Sequence, residues 1–247
     1  ISDKTAVKFN VKFDANGGSG SMDSITVTYG KEKALPACTF ERENYHFGGW
    51  IMERDSYKKT LGKKTPYSKD EWLKPDNVYE YSLFKDKGKV SKTTNVGNVT
   101  AKAFWIADEY QVNYDANGGE GVLPSRTVGY SEVFKIEEHN MIRHGYVFAG
   151  WTAQRDYDGK VYGYLKDKDT PAWLKPKHVS KPYIFTDSQE TSQLTYEGNV
   201  TFSAHWQLAF NFSKDGTELN RYIGIDEEVD FPQSYNKVST ICDEAFR

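Results

Sequence analysis

Cysteine is scarce: Cys38 and Cys242, far apart in the chain, are the whole complement. Two such thiols form neither a disulfide framework nor a metal-ligand pattern. They fit a cytosolic protein, and equally an exported one held together by packed sheets. No apolar run approaches the roughly 18–20 residues that a membrane span needs. Basic charge is not in excess either, since 32 Lys and Arg stand against 35 Asp and Glu for a net charge of −3. Nucleic-acid binding therefore has no electrostatic support. The spacings of zinc proteases, P-loops, dinucleotide-binding turns and serine-hydrolase elbows are all missing. Catalytic residues, cofactors and metal ligands are accordingly not expected. The opening stretch, from Ile1, is polar and lacks a secretion-signal pattern, and a longer natural protein is expected.

Aromatic residues are plentiful: 17 Tyr, 14 Phe and 6 Trp make up 15% of the chain. Such rings suit strands and half-buried surfaces. The overall apolar content lies in the ordinary globular range, which excludes a wholly disordered chain.

The sequence repeats itself at a fixed offset of 101 residues. Asp14-Ala15-Asn16-Gly17-Gly18 returns as Asp115-Ala116-Asn117-Gly118-Gly119, and Phe47-Gly48-Gly49-Trp50 as Phe148-Ala149-Gly150-Trp151. Trp72-Leu73-Lys74-Pro75 returns as Trp173-Leu174-Lys175-Pro176, Gly97-Asn98-Val99-Thr100 as Gly198-Asn199-Val200-Thr201, and Trp105 as Trp206. One offset shared by all these blocks means two modules, 6–107 and 108–207, followed by a different tail, 208–247. None of His46, His139, His144, His178 and His205 recurs in register between the modules.

Each module reads as β-rich. Val7 to Phe13 alternates apolar and polar residues, as a half-buried strand does, and Tyr110 to Tyr114 is its counterpart. Asn16-Gly17 and Asn117-Gly118 tolerate positive φ and mark turns. Further strands are expected at Ile25–Tyr29, Tyr45–Ile51 and Val99–Ile106, with equivalents at Arg126–Tyr130, Tyr146–Thr152 and Val200–Gln207. The polar stretches 52–97 and 153–198 are too long for structureless loops. A helical turn and one hairpin (Val78 to Phe84; Val179 to Phe185) are expected in each.

The order strand, DANGG, strand, F-x-G-W, then V-T-x-x-A-x-W resembles the Listeria–Bacteroides repeat family, the B repeats of internalin-type surface proteins. The resemblance covers about 200 of the 247 residues. It implies a mainly β (α+β) class, with two tandem β-grasp, ubiquitin-like repeats in a bacterial surface or secreted protein. It also implies a spacer or adhesion role and no enzymatic activity. Family members are shorter, so the WLKP-containing insertions are additions. The tail, with Val229, Phe231 and then V-S-T-I-C-D-E-A-F, resembles the opening of a BspA-type surface leucine-rich repeat. In that family Val229 and Phe231 would form the entering strand, and Val238, Ile241, Ala245 and Phe246 the buried positions.

Competing readings attach to each motif. D-x-N-x-G is a fragment of a calcium loop or a plain turn. A calcium loop places Glu at its twelfth position, whereas Ile25 and Arg126 stand there, so the turn is expected. Trp50 and Trp151, each three residues after a Phe, read as core anchors in preference to sugar platforms. Trp72 and Trp173 sit in polar insertions, where an aromatic either seals the insertion to the sheet or faces a ligand. If a surface binds something, Trp72, Tyr79, Tyr81, Trp173 and Tyr183 are the candidate contacts. Asn98-Val99-Thr100 and Asn199-Val200-Thr201 match a glycosylation sequon but more simply open the last strands.

Two functional expectations follow. One is a non-enzymatic, extracellular cell-surface or cell-wall module serving as spacer, adhesion or protein-interaction region, with a host or neighbouring surface protein as partner. The other is a carbohydrate-binding module of a larger envelope protein, with a glycan as partner. The short connector at Ala107-Asp108-Glu109 favours a semi-rigid tandem.

Overall fold

The computed structural model describes residues 6–229 and 236–246. It is mainly β, as expected, and the chain parts into two compact units between Asp108 and Glu109. The first unit holds β1 (Lys8–Asp14), β2 (Ile25–Thr28), β3 (Lys33–Ala34), β4 (Tyr45–Arg54), β5 (Thr60–Lys63), β6 (Glu71–Leu73), β7 (Glu80–Tyr81), β8 (Lys89–Val90) and β9 (Val99–Ala107). The second repeats this series as β10 (Glu109–Asp115), β11 (Arg126–Gly129), β12 (Phe134–Lys135), β13 (Tyr146–Arg155), β14 (Val161–Tyr164), β15 (Ala172–Leu174), β16 (Lys181–Pro182), β17 (Glu190–Thr191) and β18 (Val200–Leu208). It then adds β19 (Phe210–Phe212), β20 (Glu218–Tyr222) and β21 (Thr240–Ile241).

The main sheet runs β2-β1-β9-β4-β5-β6 in the first unit and β11-β10-β18-β13-β14-β15 in the second. In each, the module's first and last long strands, β1 with β9 and β10 with β18, pair in parallel and the other pairings are antiparallel: Val11 faces Val99 and Val112 faces Val200, again 101 residues apart. The alternation in β1 places Phe9 and Val11 inside and leaves Lys8 and Asn10 out. Among the described residues the helical content is two short 3₁₀ turns, Pro75–Asn77 and Pro176–His178. Each starts at the proline of WLKP, whose fixed φ suits a first helical position. Lys74 before it is held extended at ψ 142°, as a residue preceding proline prefers.

The expected hairpins at Val78–Phe84 and Val179–Phe185 do not form. Each stretch instead lies along other strands at two short contacts: Gly62 pairs with Tyr81, and Trp50 and Phe84 exchange two backbone hydrogen bonds of 2.8 and 3.0 Å. Folding back on itself would leave those sheet groups unpaired.

Each module carries its own core. Phe9, Val11, Val27, Trp50, Met52, Val99, Ala101 and Ala103 are buried in the first. Val112, Val128, Trp151, Ala153, Val200, Phe202 and Ala204 are buried in the second. Trp50 and Trp151 are fully enclosed, which settles them as core anchors. Trp50 is ringed edge-on by Phe13, Phe40 and Phe47, and Trp151 by Tyr114 and Phe148.

The shared motifs are the fastenings of this sheet. The Asp14 carboxylate accepts from the Asn16 N–H at 2.8 Å, and Asn16 Nδ2 donates to the Ala103 carbonyl at 2.9 Å; Asp115, Asn117 and Ala204 do the same. Asn16 and Asn117 adopt φ of 46° and 47°, so the turn reading of DANGG is the structural one. Trp105 Nε1 donates to the Ala15 carbonyl and Trp206 Nε1 to that of Ala116, both at 2.8 Å. A Cβ on Gly18 would lie 2.7 Å from Trp105, and one on Gly119 would lie 2.6 Å from Trp206, so the last glycine of DANGG is the floor on which that indole rests. The GNVT motif works likewise. Asn98 and Asn199 side chains accept from Asn10 and Gln111 N–H, and Thr100 and Thr201 hydroxyls donate to Asp55 and Asp156.

The tail packs a small cluster of Ala209, Phe210, Leu219, Tyr222 and Ala245 against Val147 and Leu208. Of its four expected repeat positions, Ala245 is buried and Val238 half-buried, while Ile241 and Phe246 are each 51% exposed. Phe231 lies outside the described residues, and Val229 is half-buried without being in a strand. Asp226 fastens the tail to the second module. Its carboxylate accepts from Tyr222 OH at 2.6 Å and Gly145 N–H at 3.1 Å and faces His144 Nδ1 at 2.9 Å. The Tyr222 and Gly145 bonds, with His144, hold its pKa below the ordinary carboxylate value. A depressed carboxylate stabilises the fold above its unfolded pKa of about 3.9, and that contribution is lost as pH falls through the folded value. Lowering the pH from 5 to 3 is thus expected to reduce the protection of the Gly145 and Ile223 amides, measured as exchange relative to the intrinsic rate at each pH. Asp226→Asn should remove that acid response; protection factors that are identical at both pH values in the parent would show that the clasp carries no weight.

Candidate aromatic site

The five candidate contacts do not form one surface. Tyr79 and Tyr81 are 64% and 42% exposed, and Tyr81 sits 6.3 Å from the Phe104 ring. Trp72 packs on the first core with the Arg54 guanidinium 4.4 Å from its ring centroid. Trp173 is held in the same way by Arg155 at 4.8 Å. Both tryptophans therefore seal their insertions to the sheet, but Trp173 also faces open space. Trp173 and Tyr183 come together in a hollow of about 270 Å³.

That hollow forms where β14, β15 and the segment from Tyr183 to Phe185 converge. Tyr162 stands at its centre, 5.1 Å from Trp173, 5.4 Å from Tyr183 and 5.7 Å from Phe185 between ring centroids. Tyr183 meets Phe185 edge-on at 4.6 Å. Gln189 is fixed by two bonds: its Oε1 accepts from Thr186 N–H at 3.0 Å and its Nε2 donates to Tyr183 OH at 3.2 Å. Thr191, Ser192 and Gln193 complete the rim. Burial first, then the neighbouring Tyr183 and Tyr164, pushes the Tyr162 hydroxyl above the ordinary phenol value, so it stays protonated and able to donate. The lining contains no charged residue, in a chain with 27% charged residues. Arg155, behind Trp173, is already paired with Asp158 through Nη2 at 2.6 Å and Nε at 3.3 Å.

The first module lacks this constellation. At the offset of 101, Tyr162, Tyr183, Gln189 and Gln193 correspond to Leu61, Ser82, Gly88 and Lys92. Asp158 corresponds to Tyr57, which leaves the Arg54 Nε buried without a hydrogen bond among the described residues. Tyr162, Gln189 and Gln193 escaped the search for shared motifs because they are the positions where the repeats differ. Among the described residues no cluster of His, Cys, Asp and Glu could hold a metal ion.

The duplicated sheet, the DANGG turn and the Phe-x-Gly-Trp strand agree with a family model. The Listeria-Bacteroides repeat domain matches residues 9–71 and 110–170, just over half of the chain. The chain belongs to this family. The matches end at Glu71, immediately before the first WLKP segment, and at Thr170, two residues short of the second, so of the pocket's lining the Listeria-Bacteroides repeat covers Tyr162 but not Trp173, Tyr183, Gln189 or Gln193. The chain is 27% identical over 158 residues to a protein of Evansella cellulosilytica named "Putative membrane protein", across 63% of this chain and 19% of that protein. It is 27% identical over 124 residues to a "Putative Gly-rich membrane protein" of the same organism, across 49% of this chain and 12% of that one. It thus spans less than a fifth of the length of either relative. No solved structure matches. Among the described residues no helix is long and apolar enough to cross a membrane.

Proposed function

We propose that this chain is a non-enzymatic, extracellular repeat region of a bacterial cell-surface or cell-wall protein, which spaces or presents neighbouring domains and contacts a host or adjacent surface protein. The observation that carries this reading is one sheet built twice, each copy with its own core and with its shared residues spent on turns and packing. The family membership supports it, as do relatives named as membrane proteins. The strand order, with the first and last long strands of each module paired in parallel and flanked by antiparallel strands, supports a β-grasp reading of each module. The parallel pairing of β20 with β21, together with buried Ala245, supports a leucine-rich-repeat start in the tail. Antibodies against the chain should label intact cells of the organism that makes it; labelling only after permeabilisation would contradict the surface assignment.

A second reading, a carbohydrate-binding module of a larger envelope protein, is favoured by one observation: the uncharged aromatic hollow of the second module.

A further inference from the structure

We infer that the hollow formed by Tyr162, Trp173, Tyr183 and Gln193 in the second module binds one neutral hexopyranose unit of a glycan, and that the first module has no such site. This inference rests on the carbohydrate-binding reading and narrows it to one place and one ligand class.

Size comes first. About 270 Å³ falls just under the roughly 300 Å³ at which drug-sized sites begin, which suits a single sugar ring. Composition comes second. Tyr and Trp present apolar ring surface next to polar edges, and a pyranose presents a C–H face bordered by hydroxyls. Polarity comes third. Apart from Gln189, whose amide is engaged by Thr186 and Tyr183, the side-chain polar groups of Tyr162, Thr191, Ser192 and Gln193 make no hydrogen bond with another described residue. Amides and hydroxyls both donate and accept, as sugar hydroxyls require. Charge comes last. With no ionised group in the lining, an anionic or cationic ligand would lose hydration without gaining a counter-charge, so uronic acids, sialic acids and amino sugars with free amines are disfavoured.

The first module supplies the control. Its counterparts Leu61, Ser82, Gly88 and Lys92 remove two rings and two amides and add a cation, while the sheet beneath is retained. Tyr183→Ser with Gln193→Lys therefore installs residues that the same fold already carries at those places.

The test applies the full chain to an array of neutral and acidic glycans. Methyl glycosides of glucose, galactose, mannose and N-acetylglucosamine are then titrated by NMR. Neutral glycans should give the signal, and the double variant should bind them at least tenfold more weakly at an unchanged melting temperature; Tyr79→Ala, outside the hollow, should bind as the parent does. Signal confined to acidic glycans, signal that survives in the double variant, or signal lost in Tyr79→Ala would overturn the assignment to this hollow and leave the carbohydrate reading standing. Silence across the array would overturn both. Should the double variant melt early, Gln193→Lys alone, at an exposed position, decides between the same outcomes.

Discussion

Trp151→Ala is expected to destabilise the second module by about 3–5 kcal/mol, the range for removing a large aromatic from a core. A small domain has only about 5–15 kcal/mol of stability in total, so this one change brings the module close to unfolding at growth temperature. The cause is visible around the ring. Trp151 is fully enclosed, meets Tyr114 and Phe148 edge-on at 5.2 and 5.0 Å, and donates from Nε1 to Asp187 at 2.9 Å. Trp50→Ala should cost the first module a similar amount, because its ring is enclosed in the same way. The phenylalanine variants separate the modules. Trp50 Nε1 is buried without a hydrogen bond among the described residues, so Trp50→Phe removes none. Trp151→Phe removes the bond to Asp187 and should cost about 1–2 kcal/mol more. Denaturant midpoints measure both; equal losses for the two phenylalanine variants would show that the Asp187 bond adds nothing.

Gly150→Ala should cost the second module a further amount of the same order, about 2–5 kcal/mol. Gly150 sits at the irregularity in β13 with φ +117°, a conformation that penalises any Cβ by about 1–2 kcal/mol. A Cβ there would also lie 2.4 Å from Ile184 Cγ2 and 2.6 Å from the Phe185 carbonyl. Ile184 can turn away. The Phe185 backbone cannot, because it exchanges hydrogen bonds of 2.8 and 2.9 Å with Trp151, and overpacking of this kind costs about 1–3 kcal/mol. Gly30 separates the two contributions: its φ is +84°, with nothing within 4 Å of the missing Cβ. Gly30→Ala should therefore lose only about 1 kcal/mol, and equal losses at Gly30 and Gly150 would refute the steric argument.

Much of the architecture was legible because its determinants are local and repeated. Alternation placed the first strand of each module, the other three principal strands lay where they were expected, Asn16-Gly17 located its turn, and each long polar stretch held the short helical turn expected of it. The hairpin expectation at Val78–Phe84 failed because a strand's partner is decided by whichever edge is unpaired in space. Here that edge lay on Gly62 and Trp50, not in the segment itself. The candidate contacts were partly legible: aromatic type picked out Trp173 and Tyr183 but also the scattered Tyr79 and Tyr81. Tyr162, Gln189 and Gln193 could have been found by asking where the two copies disagree, since the shared residues are committed to holding the sheet. The Asp226 clasp was out of reach, because its partners His144 and Gly145 lie some eighty residues earlier and nothing in the local pattern pairs them.

The central claim is that one sheet has been built twice, each copy stabilised from within. Amide hydrogen exchange on the full chain tests it directly when the parent, Trp50→Ala and Trp151→Ala are compared. Trp50→Ala should deprotect the amides of Val99–Ala107 and leave those of Val200–Leu208 as in the parent, and Trp151→Ala should do the reverse. Loss of protection spread evenly over both strands in either variant would mean a single cooperative structure and would contradict the account.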